Sequence, residues 1–165
     1  MRKGFTMIEL IFVIVILGVL ASVAIPRLAA TRDDAEVAKA ATNLTTAVSD
    51  ITAYYTAKGT FKSGSTGNGQ NVSFDKITNA LDKSGKLMVK GKTECVSVAL
   101  PTTTAGQPNT SSKVEITLTF TDIDAVCKTL KTLPGIKAMC GKSGANESIS
   151  SECKIQVGGS GGIQF

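Results

Sequence analysis

The sequence predicts an α+β protein in which one long N-terminal helix packs against a small antiparallel β-sheet head. Three observations predict it. A run without any charge extends from Leu10 to Ile25. An apolar stripe at alternating spacings of three and four residues follows it, the mark of an amphipathic helix. Beyond residue 58, short segments alternate apolar and polar residues, the mark of strands with one buried face. The chain has 165 residues, enough for one small domain plus an anchor.

The first element is the apolar run LIFVIVILGVLASVAI, whose single polar residue is Ser22. Extended back to Phe5, it is interrupted only by Thr6 and Glu9. A helix of about 20 residues rises roughly 30 Å, the thickness of a bilayer core. In a domain of this size, a helix apolar on every face reads as a membrane span. Arg2 and Lys3 precede it and are expected to stay cytoplasmic. A cleaved secretory signal competes, with Ala21-Ser22-Val23 or Ala24-Ile25-Pro26 as its cleavage site. Such cleavage would discard a segment that continues smoothly into an amphipathic helix. A plain anchor leaves Glu9 unexplained, because a carboxylate in a membrane segment is costly and marks function by default. Thr6-Met7-Ile8-Glu9 also fits the capping box that opens a helix.

Pro26 ends the apolar run, and Gly18 lies within it. Proline removes a helical hydrogen bond and bends the axis, and glycine adds backbone freedom. After Pro26 the stripe consists of Val37, Ala41, Leu44, Val48, Ile51 and Tyr55. Asp33, Glu36, Lys39, Asn43, Thr46 and Asp50 lie off it. One helix is therefore expected from about Phe5 to Ala57, kinked near Pro26. Arg27, Arg32, Asp33, Asp34, Glu36 and Lys39 form a mixed-charge band just past the apolar run. Singly these residues read as a solvated surface with pairs such as Arg32–Glu36; as a band they read as salt bridges between neighbouring subunits.

In the head, residues 63–71 form a Gly/Ser/Asn loop without the spacing of a phosphate cradle. Asp75 to Asp82 is expected as a short helix capped by Ser73 and ended by Gly85. Strands are expected where Val96, Val98 and Leu100 alternate with Cys95, Ser97 and Ala99, and from Val114 to Phe120. Residues 101–112 would connect them as a long hairpin loop. Thr121 to Leu133 reads as a helix with Ile123, Val126 and Leu130 inward, stopped by Pro134-Gly135. Glu152 to Val157 is a last strand, and residues 158–162 a flexible glycine tail. The Asp122-x-Asp124 pair is explained by helix capping at Thr121 with acidic first-turn residues before calcium, and Glu147 in the 141–151 loop is too poor a ligand set for a metal.

Histidine is absent, which excludes histidine triads and imidazole-bound zinc. Serine-nucleophile motifs, paired carboxylates and nucleotide loops are also missing, so no enzyme activity and no cofactor or metal are expected. Four cysteines, Cys95, Cys127, Cys140 and Cys153, all lie beyond the apolar run and form no C-x-x-C. Their even number suggests two disulfides in an oxidising compartment, with three pairings open. Lys83, Lys86, Lys90 and Lys92 cluster in sequence. This leaves a membrane-tethered nucleic-acid-binding module as an alternative class.

Lys3-Gly4-Phe5-Thr6-Met7-Ile8-Glu9-Leu10 followed by the apolar run resembles the class III signal of type IV pilins and type II secretion pseudopilins. The resemblance implies four segments: a 1–4 leader, a 5–26 transmembrane and filament-core helix, a 27–57 amphipathic half, and a 58–165 disulfide-containing head. It implies cleavage after Gly4 and N-methylation of Phe5 by a prepilin peptidase/methyltransferase. Loss of Arg2 and Lys3 then lowers the net charge from +5 to +3. Glu9 would pair with the N-terminal ammonium of a neighbouring subunit. The Gly18–Pro26 stretch would lose helicity on assembly. Cys140 with Cys153 would form the family's C-terminal disulfide loop, leaving Cys95 with Cys127; the nested alternative joins Cys95 to Cys153 and Cys127 to Cys140. The partners implied are other copies in a homo-oligomeric helical filament, an inner-membrane platform protein and an assembly ATPase. The implied location is the bacterial inner membrane, then a surface pilus or a periplasmic pseudopilus. The implied role is that of a pilus subunit in adhesion, twitching or DNA uptake, or of a pseudopilin in protein export.

Overall fold

A computed structural model describes residues 4–63, 71–101, 113–142, 144 and 147–158, with the side chains of 26–30 also outside what is described. The chain divides into two compact units, Met1–Ala35 and Glu36–Phe165. Its elements are α1 (Met7–Lys58), β1 (Lys86–Val89), β2 (Thr93–Ala99), β3 (Val114–Phe120), α2 (Ala125–Thr132), α3 (Pro134–Met139) and β4 (Glu152–Gly158). The α+β expectation is met: a long helix is followed by a four-stranded antiparallel sheet in the order β1-β2-β3-β4. The 63–71 loop, the 101–112 connection and the tail beyond Gly158 fall largely outside the described residues.

In the second unit the buried face of α1 is Val37, Ala40, Leu44, Ala47 and Ile51. Val37, Leu44 and Ile51 were on the expected stripe; Ala41, Val48 and Tyr55 flank it and are only partly buried. The line of closest packing thus runs through two alanines. Small side chains let the helix backbone approach its neighbours closely, and a reading that weights large apolar residues places the line one position off. Asp50, expected off the stripe, is half-buried and accepts a 2.7 Å hydrogen bond from the hydroxyl of buried Thr78. Asp50→Ala strips that hydroxyl of its acceptor. It should destabilise the full chain by about 1–3 kcal/mol, read as a lower Tm in detergent.

The sheet core follows the period of two. Ile116, Leu118 and Phe120 of β3 are buried, as are Val96 and Val98 of β2. Cys95 breaks the alternation and is buried too. Leu87 faces Val96 and Met88 faces Glu94, so Cys95 is an unpaired extra residue. A β-bulge of this kind re-aims a side chain, here toward the core. Strand β1 was not expected; its one lysine, Lys86, belongs to the lysine cluster of the sequence. It joins β2 through Lys90 and Gly91, both at positive φ, the pattern of a tight hairpin turn.

The expected helix over 75–82 is a single 3-10 turn, Phe74–Lys76, and Ser73 makes no capping bond from its side chain. Gly85 does not end a helix. It sits at φ 79° beside the Phe74 ring, where an added Cβ would lie 2.4 Å from that ring and 2.7 Å from the Val98 carbonyl oxygen. Gly85→Ala should therefore cost about 2–3 kcal/mol, through left-handed backbone and overpacking together, again seen as a lower Tm.

The expected helix over 121–133 is two helices. Thr121 belongs to the loop and donates its hydroxyl to the Glu94 carbonyl. Asp124 is the N-cap, accepting from the Val126 N–H at 2.8 Å. Ile123 precedes the cap and is 75% exposed, not inward. Pro134 does not simply stop the chain: it opens α3 at the first helical position, where its missing N–H costs nothing. The Val126 N–H, then Lys90, hold the Asp124 carboxyl below its usual range. A depressed folded value means a contribution present above the unfolded pKa and lost as pH falls through the folded one. The Tm gap between the wild-type chain and Asp124→Ala should accordingly close on acidification.

The disulfides are Cys95–Cys127, with Cα atoms 5.0 Å apart, and Cys140–Cys153, 5.6 Å apart. Of the pairings left open by the sequence, this is the one that leaves the C-terminal pair together. The first bridge fastens α2 to the bulge of β2; the second fastens the end of α3 to β4. Gly158, expected as the first residue of a tail, closes β4 opposite Val114. A Cβ there would lie 2.1 Å from the Tyr55 ring.

Candidate functional site

The residues that the sequence singles out for processing and assembly, Gly4, Phe5 and Glu9, lie at the N-terminus. Gly4, Phe5 and Thr6 precede the helix, and α1 begins at Met7, two residues later than expected. The capping box explains the later start. Thr6 donates its backbone N–H to Glu9 Oε2 at 3.0 Å and its hydroxyl to the same oxygen at 2.8 Å. The Glu9 N–H reaches back to Thr6 Oγ1 at 3.4 Å. Reciprocal bonds of this kind satisfy donors that the first turn leaves without partners. They also leave the Gly4–Phe5 bond outside the helix, in exposed backbone.

A Cβ placed on Gly4 would meet nothing within 4 Å. The fold of this chain therefore does not demand glycine there. Gly18 is equally unconstrained, and the helix runs unbroken through both Gly18 and Pro26. Ser22, the one polar residue of the run, returns its hydroxyl to the Val19 carbonyl at 2.7 Å. Such internal satisfaction lets a serine sit in an apolar environment.

Met7–Ile25 is 19 residues long with mean hydropathy 2.9, long and apolar enough to cross a membrane, and none of it is buried within the chain. Phe5, Met7, Ile8 and Phe12 are all more than 60% exposed. So large an apolar surface is incompatible with water around it and needs lipid or other protein.

The charged groups of the second unit are arranged differently from the sequence expectation. Lys86 pairs with Glu94 at 2.7 Å, and Lys90 with Asp124 at 3.3 Å. The Lys90 N–H also points at Glu36 Oε2, 3.4 Å away. The lysine run 83–92 is thus no continuous basic patch, because acids from α1, β2 and the α2 cap are brought to it. Sequence adjacency could not reveal this, since the partners come from other elements.

Comparison with known proteins bears on the N-terminus alone. Residues 1–25 match the family model described as the prokaryotic N-terminal methylation motif. No curated protein and no solved structure matches the chain. The matched residues contain Gly4, Phe5 and Glu9 and most of the exposed apolar helix. The N-terminus therefore carries a class III prepilin-type signal, the motif found on type IV pilins and pseudopilins.

Proposed function

We propose that this chain is a structural subunit of a type IV pilus-like helical filament, built from the inner membrane after removal of residues 1–4 and methylation of Phe5. The observation that carries this reading is the Gly4-Phe5…Glu9 motif placed directly before a 19-residue apolar helix that is wholly exposed. An apolar surface that the chain cannot bury by itself has two uses in sequence. It holds the precursor in lipid, and it later packs against the stems of other copies. The contact is heterologous, so it propagates instead of closing. On this reading Glu9 meets the new ammonium of a neighbouring Phe5, and two charges that are each costly in lipid neutralise one another. Gly18 and Pro26 are where the helix would stretch on assembly. The chain acts on no substrate. A peptidase/methyltransferase, a platform protein and an ATPase act on it.

The C-terminal Cys140–Cys153 bridge favours a surface pilin over a type II secretion pseudopilin, by its resemblance to the disulfide loop of pilins. The test is expression of the full chain beside a prepilin peptidase and, separately, a pilus or a secretion apparatus. Mass spectrometry should find a chain lacking residues 1–4 and carrying one added methyl group. Fibres sheared from the surface and unchanged export would identify a pilin. Fibres confined to the periplasm, with export restored, would identify a pseudopilin. Gly4→Leu should leave membrane insertion intact and the leader in place; efficient cleavage of that variant would count against the processing reading.

A further inference from the structure

We propose that the head carries a pocket for a terminal phosphate group, inorganic phosphate or a phosphate monoester, held by lysines that the fold collects from α2 and α3. The pocket has a volume of about 300 Å³, at the lower end of small-ligand sites. Its lining includes Lys128 and Lys131 of α2, Lys137 of α3, Asp122 from the loop before α2, and Ser148. Buried Ile149 is its apolar wall. Thr132 also lines it but donates its hydroxyl to the Thr129 carbonyl at 2.8 Å, which leaves Ser148 as the hydroxyl donor.

Three ammoniums and one carboxylate line this pocket, a surplus of two positive charges. Lys128 and Lys131 stand three apart on α2 and so share a face. A solvated lysine face is the ordinary reading of such a cluster, and Lys131 departs from it. Its side chain is only 17% exposed. Its partner is the Asp122 carboxylate, whose oxygens lie 3.1 and 3.4 Å away. An ammonium has three donors, and these two oxygens engage at most two of them. A charge largely withdrawn from water needs an acceptor for each donor, so the pocket calls for one more oxygen. Lys128 is exposed and makes no side-chain bond among the described residues. Glu147, next to Ser148 in sequence, is bonded to Lys142 at 3.4 Å and does not line the pocket.

Charge and size select the ligand. Two surplus positive charges match a dianion. A phosphate monoester is close to doubly charged at neutral pH, whereas a phosphodiester or a sulfate ester carries one charge. Lysines hold phosphate as point charges. No aromatic residue lines the pocket, so it offers no platform for stacked bases. A concavity of this size takes one end group; a nucleic-acid backbone needs a groove to track along. The site is distinct from the lysine run at 83–92, onto which Glu94, Asp124 and Glu36 are folded. It belongs to the head and does not depend on filament assembly.

The test uses the full chain in detergent, with inorganic phosphate and its methyl esters as probes and ionic strength held constant with chloride. Phosphate at about ten times its Kd should raise the Tm by about 3–6 °C. Acetylation of Lys128, read by mass spectrometry, should slow about threefold or more in phosphate. Acetylation of Lys83 and Lys92, which do not line the pocket, should be unchanged. At about pH 8, methyl phosphate keeps two charges and should stabilise as phosphate does, while singly charged dimethyl phosphate should bind about fivefold more weakly. Lys128→Gln should weaken phosphate binding about fivefold with its Tm in chloride at the wild-type value, and Lys128→Arg should retain binding. No saturable rise of Tm in phosphate, equal protection of Lys83 and Lys128, or wild-type affinity in Lys128→Gln would each overturn the site. Equal binding of dimethyl phosphate, or of duplex DNA stripped of its terminal phosphates, would overturn the end-group assignment. None of these outcomes bears on the filament reading.

Discussion

Glu9→Ala is expected to abolish filaments while the precursor still inserts in the membrane and is still cleaved. The structure sharpens the test, because Glu9 has a local role as well. Both donors of Thr6 converge on Oε2, and Oε1 carries no bond among the described residues. A carboxylate offers two oxygens and about four lone-pair sites. A neighbouring ammonium can therefore be met at Oε1 without opening the capping box. Cap and charge are separable by substitution. Glutamine serves at this position of a capping box as glutamate does, yet carries no charge. Glu9→Gln should keep the helix start and still fail to assemble. Wild-type filaments from Glu9→Gln would show that the cap suffices, and would end the charge-pairing account. Thr6→Ala is the reciprocal control: it loosens the first turn and spares the carboxylate, so filaments should form. Counting sheared fibres by electron microscopy, with precursor and mature chain separated on a gel, reads all three variants.

The second large effect concerns Cys95–Cys127. This bridge joins residues 32 apart, whereas Cys140–Cys153 joins residues 13 apart. Loop-closure entropy makes the longer link worth more, about 4 kcal/mol against about 3. Cys95 and Cys127 are also fully buried, at the bulge of β2 and in the core-facing side of α2. Replacing both with alanine should lower the Tm of the full chain by roughly 10–20 °C. The Cys140/Cys153 double alanine variant should fall less, since Cys140 is only partly buried. Equal losses from the two bridges would contradict this ranking. Thermal melts in detergent under oxidising conditions make the comparison.

Some of this molecule was plain from residue order. The apolar run, the Gly4-Phe5-Thr6-x-x-Glu9 spacing and the alternation in β2 and β3 are local patterns, and local physics fixes what they become. Apolar residues on every face of a helix need lipid or protein around them whatever the rest of the chain does. A Thr and a Glu three apart cap a first turn by themselves. A period of two buries one face of a strand. These patterns sufficed for the fold class and for the prepilin-type N-terminus.

Other features depended on groups far apart in sequence. The buried line of α1 runs through Ala40 and Ala47 because close packing rewards small side chains as well as greasy ones. Asp124, not Thr121, caps α2, because Thr121 is taken by the Glu94 carbonyl across the sheet. The lysines of β1 and its turn lost the look of a basic patch once Glu94, Asp124 and Glu36 were folded onto them. The cysteine pairing was among three that the count alone allowed; a bulge at Cys95 and the register of β4 decided it. Residue order alone thus carried the prepilin-type motif, the apolar surface that must leave water and the class of fold. Only the tertiary structure decided which polar groups are spent on each other and which surface the head has left to offer, because pairing across space depends on distances that residue order does not contain.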